Sequence, residues 1–218
     1  VNRRELEKVL TAVAVALMAI IAYLVLVNNA QCVPAAAAAD ERPLEVLPPA
    51  DSAPRVEAAI WWQARIAPRH PVRRRPAWRR ELSGYIAEGA AVNHLPWALV
   101  TAIAYREGSF RPDQKGDLGE WGMMQVADGV KRRCKAQGFD LMTPQGQIQC
   151  GTWWLADRRD HCGGNLQHGF AAYASGRVCR PDTEHLASVV WDRFNLARKY
   201  QEVAREHAGR LGATKEDI

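Results

Sequence analysis

Missing from this chain are the residue spacings that commonly hold zinc: there is no Cys-x-x-Cys and no His-x-x-x-His pair. His161 beside Cys162 then reads as a helix-end histidine, and neither a metal nor an organic cofactor is expected. Long polar/apolar alternation is also lacking, which argues against a large sheet and for an α-dominated domain. Acidic residues are fewer than basic ones, 24 against 29, so the net charge of +5 points toward anionic surroundings such as nucleic acid, phospholipid headgroups or a wall polymer. At 218 residues the chain can hold one ordinary domain and an appendage, but two full domains would fit only tightly.

Charge is absent altogether from residues 9–27 (VLTAVAVALMAIIAYLVLV). As a helix rising ~1.5 Å per residue this segment reaches roughly 28 Å, close to the ~30 Å hydrocarbon core of a bilayer. A buried soluble helix is the alternative. Arg3, Arg4 and Lys8 precede the segment, so the positive-inside rule places the N-terminus in the cytoplasm and the rest of the chain outside. Residues 1–32 are therefore expected to be a cytoplasmic start and an inner-membrane anchor, with the following domain in the periplasm. An A-x-A pattern within Ala35–Ala39 keeps open a cleaved signal peptide and a secreted domain. Cys32 follows no convincing lipobox, and no lipoprotein is expected. Exported topology also disfavours nucleic acid as a partner.

Residues 33–54 are Ala/Pro-rich and aperiodic, which reads as a disordered tether. Residues 55–80 combine a short amphipathic helix over 55–66 with a basic run that carries Arg69, Arg73, Arg74, Arg75, Arg79 and Arg80. That run is either a solvated charge cluster or an attachment to a membrane surface or anionic polymer. Residues 81–210 form the main domain, with helices expected over 81–93, 96–107, 122–137, 144–160, 165–175 and 183–208; 211–218 are a tail. Thr143 with Pro144, and Thr183, are start signals, while Gly138, Gly163 and Gly209 are stop signals. Leu186, Val189, Val190, Phe194, Leu196 and Tyr200 make one apolar stripe on the last helix.

The helix at 96–107 is almost wholly apolar until Arg106 and Glu107. A carboxyl group desolvated at the end of such a helix is held toward its neutral form, the form a general acid needs near neutral pH. A solvated last-turn residue is the competing reading. Glu107 opens the string EGSFRPDQKGDLGEWGMMQVADGVKRRC, and AYASG follows at 172–176. This order resembles the soluble-lytic (SLT) type of lytic transglycosylase, which shares a lysozyme-like fold with goose-type lysozymes. The matching positions are Glu107, the loop residues Gly119, Gly122, Met123, Met124 and Gln125, and the motif residues Ala172, Tyr173 and Gly176. Two departures stand out: Gly108 replaces the family's serine, with Ser109 one place later, and Ala174 replaces the asparagine. If those two side chains normally touch sugar, substrate preference differs here.

The resemblance implies an all-α lysozyme-like domain that cleaves peptidoglycan glycan strands between N-acetylmuramic acid and N-acetylglucosamine, with Glu107 as acid and then base. The product would be a 1,6-anhydro-muramic end. Ser109, Trp121, Gly122, Met124, Gln125 and Tyr173 are expected to bind substrate: Trp121 by stacking, Met124 and Gln125 by lining the cleft, and Tyr173 by reaching Glu107 with its hydroxyl. Core packing is the alternative for Met123 and for Tyr173. A hydrolytic muramidase would need a second carboxylate, for which Asp113, Asp117 and Glu120 are available, and a non-catalytic wall binder is the third reading. Resident wall remodelling, a secretion machine and a phage lysis protein all remain open as settings. Trp153, Trp154 and Trp191 are assigned to the core, and Trp61, Trp62 and Trp78 to a membrane interface. Four cysteines permit three pairings; short loops favour Cys134 with Cys150 and Cys162 with Cys179, leaving Cys32 over.

Overall fold

The computed structural model describes residues 43–67, 72 and 75–213, with side chains as far as residue 207 of the last helix. The expected membrane span at 9–27, most of the tether and Cys32 lie outside the described residues. Among the described residues, no helix is long and apolar enough to cross a membrane. Seven helices lie among the described residues: α1 (Pro49–Ile66), α2 (Pro76–Val92), α3 (Trp97–Gly108), α4 (Asp128–Ala136), α5 (Pro144–His161), α6 (Leu166–Ser175) and α7 (Glu184–Ala213). No strand longer than an isolated bridge occurs among the described residues, so the expected all-α class is observed.

α3 is the axis of the domain. Every residue from Trp97 to Ala104 is at most 1% exposed, as an all-round apolar helix must be. It packs against α1, α2 and α7. Its one buried hydroxyl, on Thr101, donates back to the Trp97 carbonyl at 2.8 Å and so is not orphaned. α5 packs on α2 and α6, and α7 runs along both α1 and α3. Thr143 caps α5 through the Gly146 N–H with Pro144 at the first position, and Thr183 accepts from Leu186 N–H at the start of α7.

Four helix boundaries differ from expectation. α1 begins at Pro49, inside the expected tether, because Ser52, Val56, Ala59, Ile60 and Gln63 form a buried face and Glu45 ties the preceding strand of chain to Arg55 and Arg205, each at 2.8 Å. Pro49 sits where a missing N–H costs nothing, although Pro54 inside the helix forfeits one bond. The basic run likewise divides: Arg79 and Arg80 belong to α2, and Arg79 pairs with Glu57 at 3.2 Å. α4 starts at Asp128, six residues later than expected, because Gly122 and Gln125 take positive φ angles of 80° and 46°. α7 continues past Gly209 to Ala213.

The tryptophan assignments are partly corrected. Trp154 is buried and Trp153 packs partly buried beside Phe139, but Trp191 is 62% exposed because it lies about 100° around the helix from the buried Val190. Trp62 and Trp78, expected at a membrane interface, are partly buried and pack against the core, Trp62 edge-on to Tyr200 at 6.1 Å. Cys134–Cys150 and Cys162–Cys179 are both bonded, with Cα separations of 5.4 and 5.3 Å. The first ties α4 to α5; the second ties the end of α5 to the chain just beyond α6.

Candidate active site

Glu107 sits in the last turn of α3, where the chain reverses sharply. Ser109 and Phe110 both adopt left-handed backbone angles, φ 49° and 55°. Two consecutive non-glycine residues there carry strain of order 1 kcal/mol or more each. The turn is held by Ser109 N–H to the Tyr105 carbonyl at 2.8 Å, by Phe110 N–H to the Ala104 carbonyl at 3.2 Å, and by burial of the Phe110 ring. Ser109 is thus the helix cap and is half-exposed, two residues after Glu107.

The loop after the turn folds back over the end of α3. A Cβ on Gly108 would lie 2.4 Å from Met123 Cα and 2.6 Å from its carbonyl oxygen, so the Gly108 position admits no side chain unless the loop moves. A serine at this position, as the resemblance implied, would meet the same backbone. The loop is pegged by Gln147 of α5, which is only 3% exposed. Its Oε1 accepts from Met123 N–H at 3.1 Å, and its Nε2 donates to the carbonyls of Pro112 and Leu141 at 3.0 and 3.1 Å. Gly122 leaves room for that amide: a Cβ there would be 2.4 Å from Gln147 Oε1.

The residues expected to bind substrate divide into two groups. Tyr173, on α6, donates its hydroxyl proton to the Met124 carbonyl and therefore has none left for Glu107, a correction to the expected contact. Burial, and secondarily the negative charge of Glu107, push the Tyr173 phenol well above its ordinary value, so the two groups do sense each other. Met124 is fully buried, its side chain pressed on the Cα of Gly151, because that glycine opens a slot in α5. Its thioether faces the core, and not a sugar. Gln125 spends its amide N–H groups on the Gly122 and Gln114 carbonyls at 2.7 and 3.2 Å, so it shapes the loop. Trp121 stays half-exposed with the Lys115 ammonium 5.4 Å from its ring, and it remains the aromatic face available to a ligand.

Sequence reasoning missed the closest partner of Glu107. Arg193 of α7 donates from Nη2 at 2.7 Å and from Nε at 3.2 Å, both to Glu107 Oε1. The side chains are 15% and 24% exposed, so the burial expected for Glu107 is partial and is matched by a cation. A signal existed: Arg193 lies three residues after Val190 and four before Ala197, both buried, which puts a charge inside the apolar stripe. The three loop carboxylates are occupied elsewhere or exposed. Asp113 sits 3.5 Å from Arg111, Glu120 accepts the Leu118 N–H at 3.0 Å, and Asp117 is solvent-exposed. No cluster of three metal-ligating side chains occurs among the described residues. A cavity of about 400 Å³ between α1 and α7, lined by Arg55, Trp61, Arg79 and His207 among others, does not include Glu107.

Residues 84–187 match the family model described as Transglycosylase SLT domain. That segment is similar to SLT domains. It contains Glu107, the loop and Tyr173, whereas Arg193 falls just beyond it. A solved structure of an inactive mutant of lytic transglycosylase Slt from Pseudomonas aeruginosa is similar at 21% identity with a TM-score of 0.42, covering 72% of this chain and 30% of that one. This chain therefore spans under a third of the length of that protein.

Proposed function

We propose that the chain is a peptidoglycan lytic transglycosylase in which Glu107 serves first as acid and then as base. What supports this most is the setting of Glu107, at the end of a buried apolar helix inside the segment similar to SLT domains, while Asp113 pairs with Arg111, Glu120 accepts the Leu118 N–H and Asp117 is exposed, so that none of them is bonded to it. Hydrolysis would need such a second carboxylate to direct water. In the proposed reaction protonated Glu107 donates to the glycosidic oxygen, and the bond from the muramic anomeric carbon to that oxygen breaks with oxocarbenium-like charge on the ring. The muramic C6 hydroxyl then attacks the same anomeric carbon while ionised Glu107 takes its proton. One C–O bond breaks, one forms, no water is consumed, and Glu107 ends protonated as it began. Intramolecular attack supplies the effective concentration that a loose water lacks.

Trp121 would stack on a sugar ring in this scheme, with Ser109 beside the reacting bond. Placement of the domain outside the cytoplasm, by a membrane helix at 9–27, is part of the same proposal and is supported by the two disulfides, which suit an oxidising compartment. The test is release of soluble fragments from purified sacculi by the full chain and by Glu107→Gln. Release by the native chain alone is expected. Equal release by both would remove Glu107 from the chemistry, and pelleting with sacculi without release would make the chain a wall binder.

A further inference from the structure

We propose that Arg193 is a positioning residue that makes the two oxygens of Glu107 inequivalent, binding Oε1 and reserving Oε2 for the proton transfers. The inference rests on the transglycosylase reading and deepens it. A guanidinium that serves only as an ion-pair partner usually grips a carboxylate in parallel, one N–H to each oxygen. Here Nη2 and Nε both converge on Oε1, at 2.7 and 3.2 Å, and no described group bonds Oε2. A guanidinium has donors and no lone pair to offer, so Oε1 cannot carry the transferable proton while the pair is intact. The proton to be given to the glycosidic oxygen must ride on Oε2, and the same oxygen must later take the C6 hydroxyl proton.

Arg193 is itself braced. Its Nη1 donates to Asp192 Oδ2 at 3.0 Å, and Asp192 Oδ1 accepts from Arg106 Nη2 at 2.7 Å. The chain of charges runs Glu107, Arg193, Asp192, Arg106, alternating in sign, and it joins two adjacent residues of α3 to two adjacent residues of α7. Because α3 is buried from Trp97 to Ala104 and α7 packs along it, the four groups are carried by two helices and not by a loop. Arg193→Met keeps the apolar stem and removes the grip; Arg193→Lys keeps one cationic group without the planar fork.

The experiment compares the full native chain with Arg193→Met and Arg193→Lys on soluble glycan strands, and measures melting of Glu107→Gln, Arg193→Met and the double variant. Loss of orientation should lower the kcat of Arg193→Met roughly 10- to 100-fold, with KM changed less than about twofold, and Arg193→Lys should recover part of the loss. The melting shift of the double variant should fall short of the sum of the two single shifts, because the second removal finds the pair already broken. A kcat for Arg193→Met within about threefold of native, or additive melting shifts, overturns the proposal. A native chain that cleaves nothing while the shifts remain non-additive refutes the transglycosylase reading instead, and takes the positioning role with it.

Discussion

Placing a methyl group on Gly108 perturbs the site at its tightest point. In Gly108→Ala the new carbon would begin 2.4, 2.6 and 2.8 Å from three backbone atoms of Met123, where ordinary contact is about 3.4–4 Å. Side chains can rotate away from such a contact, but backbone cannot, and the Met123 segment is pinned by the Gln147 amide. The loop must therefore lift by about 1 Å or α3 must bend. Overpacking of this kind costs about 1–3 kcal/mol, while replacing helical glycine with alanine returns at most about 1 kcal/mol. A net loss of about 1–2 kcal/mol should lower the thermal midpoint by roughly 2–8 °C. Gly108→Ser should do the same or worse. Because the lifted loop carries the Met124 carbonyl that orients Tyr173, sacculus cleavage should fall by more than the stability change explains. A midpoint within 1 °C of native by calorimetry, with full activity, would show that the loop does not rest on Gly108.

Gln147→Leu should be among the more destabilising changes to the loop, by about 2–4 kcal/mol in urea unfolding, since it orphans the Met123 N–H and two carbonyls; a loss under about 0.5 kcal/mol would deny the peg its role. Each disulfide closes a loop of 16 or 17 residues and contributes about 3 kcal/mol in chain entropy. Full reduction, verified by thiol counting, should then lower the midpoint by roughly 12–24 °C, and an unchanged midpoint contradicts this. Burial raises the Tyr173 and Tyr200 phenols in the folded chain. A group raised on folding contributes stability that is fully present below the unfolded value of about 10 and is lost as pH climbs above it. Ultraviolet titration should therefore show these two tyrosines ionising only together with unfolding on the alkaline side. Ionisation of all five tyrosines near pH 10 in a still-folded chain would refute it.

The helices were legible because apolar spacing reports which face is buried, and α3, α5 and α6 fall where that spacing puts them. The stretch Gly122–Ala127 was not. Its residues Met123, Met124 and Val126 read as the start of a helix, yet the buried Gln147, 24 residues from Met123, and two positive φ angles bend it into a loop. Single-residue patterns carry no trace of such a partner. The same limit hid the roles of Met124 and Gln125, whose motif positions were visible but whose side chains turn to Gly151 and to backbone carbonyls. Arg193 and Trp191 show the converse failure. Trp191 was read as core by its residue type and Arg193 was passed over, when their angular positions on α7 put the first on the exposed face and the second inside the apolar stripe. The disulfide pairing was legible because each bridge joins cysteines only 16 or 17 residues apart in the chain.

The central claim, that Glu107 drives intramolecular ring closure, is tested most directly by mass spectrometry of the sugars released from purified sacculi by the native chain and by Glu107→Gln. Muramic ends lighter by one water, in the 1,6-anhydro form, should appear with the native chain and vanish with the variant. Reducing muramic ends that depend on Glu107 would contradict the account and make the enzyme a hydrolase that finds its water through a carboxylate such as Asp113, Asp117 or Glu120.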